Sequence, residues 1–231
     1  MTTPISTVFL DIDGTLLDSN DAHAQSWKQT LDEAGVSNSY KEVRKLIGKG
    51  GDKLLPEISG VDSKSELGKE ITEKRSKVFE EEFFDQIKPF PKVRELLLKM
   101  RNEEGLKLGV VTSAKKEEME KFLKRLGIED LIEFKVTSDD VENSKPDPDL
   151  ITCALAKLQI KPDEALMLGD TPYDIQAASK AGVKTVALES GGWTAKDLAG
   201  AVGVYKDAKD LLEKFETSPF SKSGQGRQKS A

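Results

Sequence analysis

Five short apolar runs, at residues 8–10, 106–111, 134–136, 165–168 and 183–188, punctuate this chain, and helix-length segments separate most of them. Val8-Phe9-Leu10 and Gly109-Val110-Val111 are β-branched, aromatic or small without polar alternation, the pattern of strands covered on both faces, as parallel sheets require. Strand and helix in repetition is the βαβ rhythm, and right-handed crossovers wind such units into a mostly parallel sheet with helices on both faces. The fold class expected is α/β, with a Rossmann-like core.

The first interval breaks that rhythm. Between Leu17 and Lys88 no buried strand is legible, only helix-like patterns at 22–34, 40–47, 53–58 and 64–84. That is too long for a crossover, so residues 18–87 read as a helical cap subdomain inserted into a core made of residues 1–17 and 88–216. Ile87-Lys88-Pro89-Phe90-Pro91 is the stiff return linker. An insert at that place overhangs the end of the first strand and can close over a substrate, excluding water; helices that merely pack on the sheet are the alternative. Residues 217–231 carry Ser, Gly, Lys and Gln with almost no apolar side chains, and a disordered tail is expected there.

The first strand runs out into Asp11-Ile12-Asp13-Gly14-Thr15, two carboxylates and a turn glycine at the strand end where α/β sheets bind ligands. Like charges brought together there are costly unless a cation offsets them, and a hard divalent ion with oxygen ligands is the natural partner. An acidic turn leading into a helix cap is the plainer reading. A calcium loop of the EF-hand type is excluded, because its sixth and twelfth positions, counted from Asp11, hold Leu16 and Ala22 instead of Gly and Glu.

Three distant segments add complementary chemistry. Thr112-Ser113 follows the strand at 106–111 and can grip an oxyanion with its hydroxyls and the backbone N–H groups of the next helix. Ser144-Lys145-Pro146-Asp147-Pro148-Asp149 aims a lysine from between rigid residues, with Asp147 expected to cap a helix starting at Pro148. Gly169-Asp170 ends another strand, and Asp174 follows one helical turn later, so Asp170 can bind a metal directly and Asp174 through a second contact. The net charge of −6 argues against nucleic-acid binding. The single cysteine, Cys153, lies in an apolar helical pattern, which excludes disulfide frameworks and zinc clusters. No apolar run approaches the roughly 20 residues of a membrane span. A cytoplasmic protein without membrane attachment, a monomer or small homo-oligomer, is the expectation.

Taken together, Asp11-Ile12-Asp13-Gly14-Thr15-Leu16, Thr112, Lys145-Pro146, and Gly169-Asp170 with Asp174 resemble the signature stretches of the haloacid dehalogenase-like hydrolases. The insert, Asp18-Ser19 and the stretch from His23 to Trp27 look like that family's helical-cap subgroup, which includes phosphoglycolate phosphatases and β-phosphoglucomutase. The resemblance implies a phosphatase that transfers phosphate from a small phosphorylated metabolite to an aspartate. Asp11 would be the nucleophile and Asp13 the acid and base. Mg2+ would be held by Asp11, the backbone carbonyl of Asp13 and Asp170, with Asp174 nearby, and Thr112, Ser113 and Lys145 would bind phosphate. In the cap, His23, Arg44 and Lys49 are candidate substrate contacts. A sugar phosphomutase is the close alternative and a non-catalytic phospho-receiver or binding module the remote one, disfavoured because receivers carry their aspartate on a middle strand.

Overall fold

The computed structural model describes residues 4–227. The described strands, β1 (Thr7–Leu10), β2 (Lys107–Val111), β3 (Phe134–Val136), β4 (Ala165–Gly169), β5 (Lys184–Leu188) and β6 (Gly203–Tyr205), form one parallel sheet in the order β3-β2-β1-β4-β5-β6. Each apolar run is therefore a strand. β6 was not legible, because this three-residue edge strand is only partly buried and carries no apolar run. The helices are α1 (Asn20–Glu33), α2 (Tyr40–Leu46), α3 (Gly51–Ser59), α4 (Glu66–Val78), α5 (Val93–Leu98), α6 (Lys116–Leu126), α7 (Asp149–Leu158), α8 (Pro172–Lys180), α9 (Ala208–Glu213) and α10 (Lys222–Arg227).

Alternation along the strands builds a core on each side of the sheet. Val8 and Leu10, with their register partners Leu108, Val110, Leu166 and Leu168, pack with Leu96 of α5, Phe122 of α6 and Leu211 of α9. Phe9 and Met167 pack on the opposite face with Leu150 of α7 and Ala177 of α8. Each buried Leu, Val or Phe contributes about 1.5–3 kcal/mol. Gly109 lies opposite Phe9, where a Cβ would come within 2.2 Å of the Phe134 ring. Its bareness lets Phe134 fold in edge-on to Phe9 at 5.7 Å between ring centroids.

The inserted segment is helical, α1 to α4, and buries its own apolar cluster, including Trp27, Leu31, Val43, Leu54, Leu55 and Ile71. The helix expected over 64–84 is α-helical to Val78, then widens to a π-helical turn, Phe79–Phe83, and closes with the 3-10 turn Phe84–Gln86. Its two connections to the sheet run side by side: Asp18 N–H donates to Lys88 C=O at 3.0 Å and Phe90 N–H to Leu16 C=O at 3.0 Å. This ladder puts the first acidic motif at the base of the helical segment.

The tail expectation is corrected over most of its length. Ser218 and Phe220 are fully buried, Phe220 joins the same core cluster as Leu211 and Phe215, and Lys222 N–H, at the start of α10, donates to Glu104 at 3.1 Å. One aromatic anchor is enough to tie down a segment whose average composition is polar. Residues 228–231 lie outside the described residues. No helix among the described residues is long and apolar enough to cross a membrane.

Candidate active site

The sheet order reverses direction at β1, whose neighbours are β2 and β4, and such reversals open a crevice beyond the carboxyl ends of the strands. Asp11, Thr112 and Asp170 each follow one of these three strands, so pairing alone brings them together. Gly14, at φ +75°, turns the chain back into the crevice. A Cβ at Gly14 would stand 2.2 Å from Asp170 Oδ2, and one at Gly191 would stand 1.7 Å from it, so both glycines clear space around that carboxylate.

Lys145 is 1% exposed, and its Nζ lies 2.5 Å from Asp11 Oδ1 and 2.7 Å from Asp174 Oδ1. Burial raises the Asp11 carboxyl most, Lys145 opposes it, and Asp174 and Asp13 add to the rise, bringing it from 3.8 to about 7. For Lys145 burial favours the neutral amine, but Asp11 and Asp174 outweigh it and hold the ammonium above its usual range. Asp170 is pushed well above the ordinary carboxylate range by burial, then by Asp174 and Asp11, against hydrogen bonds from Thr15 and Asn20.

Asp11, Asp170 and Asp174 each offer an oxygen within 4.8 Å of the others. Three buried carboxylates facing one ammonium leave two negative charges uncompensated when all are ionised. A divalent cation balances that charge, and an all-oxygen donor set suits a hard one. Asp174 is the least available of the three, because its Oδ2 caps α8, accepting from Thr171 N–H at 3.0 Å and Thr171 Oγ1 at 2.7 Å. The Asp13 carboxyl lies outside this cluster.

Asp13 Oδ1 instead accepts from Ser19 Oγ at 2.5 Å and lies 2.7 Å from His23 Nε2. The other ring nitrogen, Nδ1, meets Arg75 Nη2. A guanidinium only donates, so Nδ1 is the acceptor and Nε2 carries the proton toward Asp13. Burial raises the Asp13 carboxyl, but the hydrogen bonds from His23 and Ser19 and the nearby Arg75 charge reverse this and hold it below 3.8. His23 stacks on Phe79 at 4.2 Å, and Arg75 Nη1 reaches Glu118 of α6 at 3.4 Å. Arg75 escaped the sequence reading. Its signal was a charged residue on the inward stripe of α4, Ile71-Arg75-Phe79, where each neighbour is buried.

A cavity of about 530 Å³ lies between the helical segment and the sheet, lined by Asp11, Asp13, His23, Lys49, Arg75 and Ser113 among others. A model of the haloacid dehalogenase-like hydrolases matches residues 8–188. The chain belongs to this family. It is 35% identical over 198 residues to the pyrophosphatase PpaX of Bacillus mycoides, covering 84% of this chain and 87% of that one. Among solved structures, a hydrolase from Pseudomonas syringae superposes with a TM-score of 0.83 at 32% identity, covering 91% of this chain and 98% of that one. A protein assigned as a β-phosphoglucomutase from Bacteroides vulgatus superposes with a TM-score of 0.83 at 28% identity, covering 93% and 88%.

In this haloacid dehalogenase-like hydrolase the expected core residues converge, whereas the cap candidates divide. Thr112 is buried and its Oγ1 accepts from Ala114 N–H at 3.1 Å, while Ser113 Oγ is buried without a partner among the described residues. Lys49 lines the cavity with its Nζ paired to Glu57 and 4.9 Å from the Tyr173 ring centroid. His23 lines it too, bound to Asp13. Arg44 is not among the described lining residues; it donates to Asp21 Oδ1 at 2.6 Å and to Gly191 C=O at 2.7 Å, a clasp between helix and loop. Asp147 does not cap α7 either: it pairs with Lys53 of α3 at 2.9 Å and with Lys180 at 3.2 Å.

Proposed function

We propose that the chain is a magnesium-dependent phosphatase that hydrolyses a small phosphorylated metabolite through a phosphoryl-aspartate on Asp11. The observation that carries this reading is that Asp11 both lines the cavity and has one oxygen pinned by Lys145 at 2.5 Å. A fixed carboxylate facing a substrate-sized space is a nucleophile in position. Asp11 and Asp170, with the backbone carbonyl of Asp13, would hold Mg2+, which supplies charge neutralisation at the phosphoryl oxygens.

The residues then divide the work. An Asp11 Oδ–P bond forms while the bond from phosphorus to the leaving oxygen breaks, and that oxygen takes a proton from Asp13. Water next attacks phosphorus and gives its proton to Asp13; the Asp11–phosphorus bond breaks, and phosphate leaves. The neighbours that hold Asp13 ionised suit it to this second, water-activating half. For the first half Asp13 must carry a proton, and a monoester bound as its monoanion, whose last proton leaves near about pH 6, brings one. Lys145, Thr112 and Ser113 bind phosphoryl oxygens, and the unpartnered Ser113 hydroxyl is free to donate to one.

Residues 18–87 act as the lid, with His23 and Lys49 facing the leaving group. The 530 Å³ cavity exceeds what a phosphate needs and falls in the range of small-molecule sites. The likeness to PpaX makes pyrophosphate one candidate substrate, and the likeness to a β-phosphoglucomutase keeps phosphoryl return to a bound sugar as the second reading. Steady-state release of phosphate from an aryl phosphate, pyrophosphate, phosphoglycolate and hexose phosphates with Mg2+ tests the proposal. An isomeric sugar phosphate formed faster than free phosphate would establish the mutase. An absence of turnover on every substrate would overturn the enzymatic reading in favour of a binding module.

A further inference from the structure

Asn20 is the first residue of α1, and thus part of the inserted segment, yet its side chain is 2% exposed and turned into the core. Its Nδ2 donates to Asp170 Oδ2 at 3.0 Å and lies 3.4 Å from Gly191 C=O. Thr15 Oγ1 donates to the other Asp170 oxygen at 2.8 Å. One oxygen of this carboxylate is therefore gripped from the core motif and the other from the helical segment. The amide orientation follows from chemistry, since the reverse would set Asn20 Oδ1 against a carboxylate oxygen. In that orientation Oδ1 is buried without a partner among the described residues. Such a group costs about 1–3 kcal/mol, which simple packing would not retain.

Arg44 of α2 closes the arrangement. Its Nη2 donates to the same Gly191 C=O at 2.7 Å, and its Nε donates at 2.6 Å to Asp21, the chain neighbour of Asn20. Gly191 in turn lies so close to Asp170 that a Cβ would meet Oδ2 at 1.7 Å. We propose that Asn20 is a positioning residue that orients Asp170 for the cation, and that the Arg44–Gly191 clasp makes this orientation depend on docking of the helical segment. This rests on the reading of Asp11 and Asp170 as Mg2+ ligands. Residues that orient metal ligands change affinity by about 10–100-fold when lost.

The test is calorimetric titration of MgCl2 into the full-length chain without substrate, with circular dichroism reporting the fold. Asn20→Ala is expected to raise the Mg2+ Kd by about 10-fold or more, and Arg44→Met to raise it by a smaller factor with Asn20 left in place. An unchanged Kd in Asn20→Ala would reduce Asn20 to a packing residue and overturn the inference. An unchanged Kd in Arg44→Met would overturn the dependence on docking. If Asn20→Ala fails to fold, Arg44→Met, whose side chain is partly exposed, still decides whether docking reaches the site. A wild-type chain that binds no Mg2+ would overturn the underlying metal reading, and this inference with it, a result distinct from either variant outcome.

Discussion

Lys145→Met removes the one ammonium among Asp11, Asp170 and Asp174 while keeping much of the side-chain volume. In the native chain this ammonium makes two ion pairs, at 2.5 and 2.7 Å, in an environment almost closed to solvent. Removing one partner of such a buried pair costs about 3–5 kcal/mol when the carboxylates left behind stay charged. They can escape by binding protons: burial already raises Asp11 to about 7 and Asp170 well above the ordinary range, and Asp11 loses with Lys145 the charge that opposed its rise. The native variant then binds more protons than the native wild type, so the variant's deficit grows with pH, by about 1.4 kcal/mol per pH unit for each extra proton bound. Urea unfolding of the metal-free chains, followed by circular dichroism, is expected to show a small deficit near about pH 5 and ~3–5 kcal/mol near about pH 8. Since whole domains are stable by only about 5–15 kcal/mol, the variant becomes marginal at the upper pH. Saturating Mg2+ should recover part of the loss. An equal deficit at both pH values would refute the electrostatic reasoning and leave Lys145 a packing residue.

Asp13→Asn, which keeps the shape of the side chain but cannot move protons, should lower kcat by about 10²–10⁴-fold while circular dichroism shows the fold retained; a loss under 10-fold would remove Asp13 from proton transfer. In the metal-free wild type the Asp11 carboxyl is raised, so the stability it contributes is complete below about pH 4 and is lost as pH rises through about 7, and Asp170, raised by the same burial, acts in the same direction. Thermal unfolding should therefore show the stabilisation by Mg2+ growing between about pH 5 and pH 8; a constant increment would contradict this. Phe220→Ala should cost about 3–5 kcal/mol in chemical unfolding, because it empties a fully buried aromatic site. Unchanged stability would restore the disordered-tail reading.

The sheet was legible because its strands are buried on both faces and so write themselves as unbroken apolar runs. β6 escaped because an edge strand in which Gly203 and Tyr205 stay partly exposed has no such run. Asp11, Thr112, Lys145 and Asp170 could be read because each stands at a strand end or in the rigid loop after one, where sequence position fixes spatial position. The helical segment offered no such rule. Arg44 and Lys49 are both candidate cap cations, yet Lys49 lines the cavity while Arg44, on α2, is docked on Gly191. Asn20 lacked any local signal of chemistry and Arg75 had only its place on a buried helical stripe, since their partners Asp170 and His23 lie 150 and 52 residues away. Asp147 was assigned to the nearest helix because capping is a local rule, and a lysine from the distant α3 claimed it instead.

The central claim is that phosphate passes through Asp11, and trapping that species is its most direct test. The full-length enzyme is mixed with a turned-over phosphomonoester and Mg2+, quenched in acid within one turnover, reduced with borohydride and mapped by peptide mass spectrometry. A phosphoryl group on Asp11 in the unreduced sample, and homoserine at that position after reduction, is the expected result. Turnover with Asp11 unmodified, or with the phosphoryl group on another residue, would contradict it.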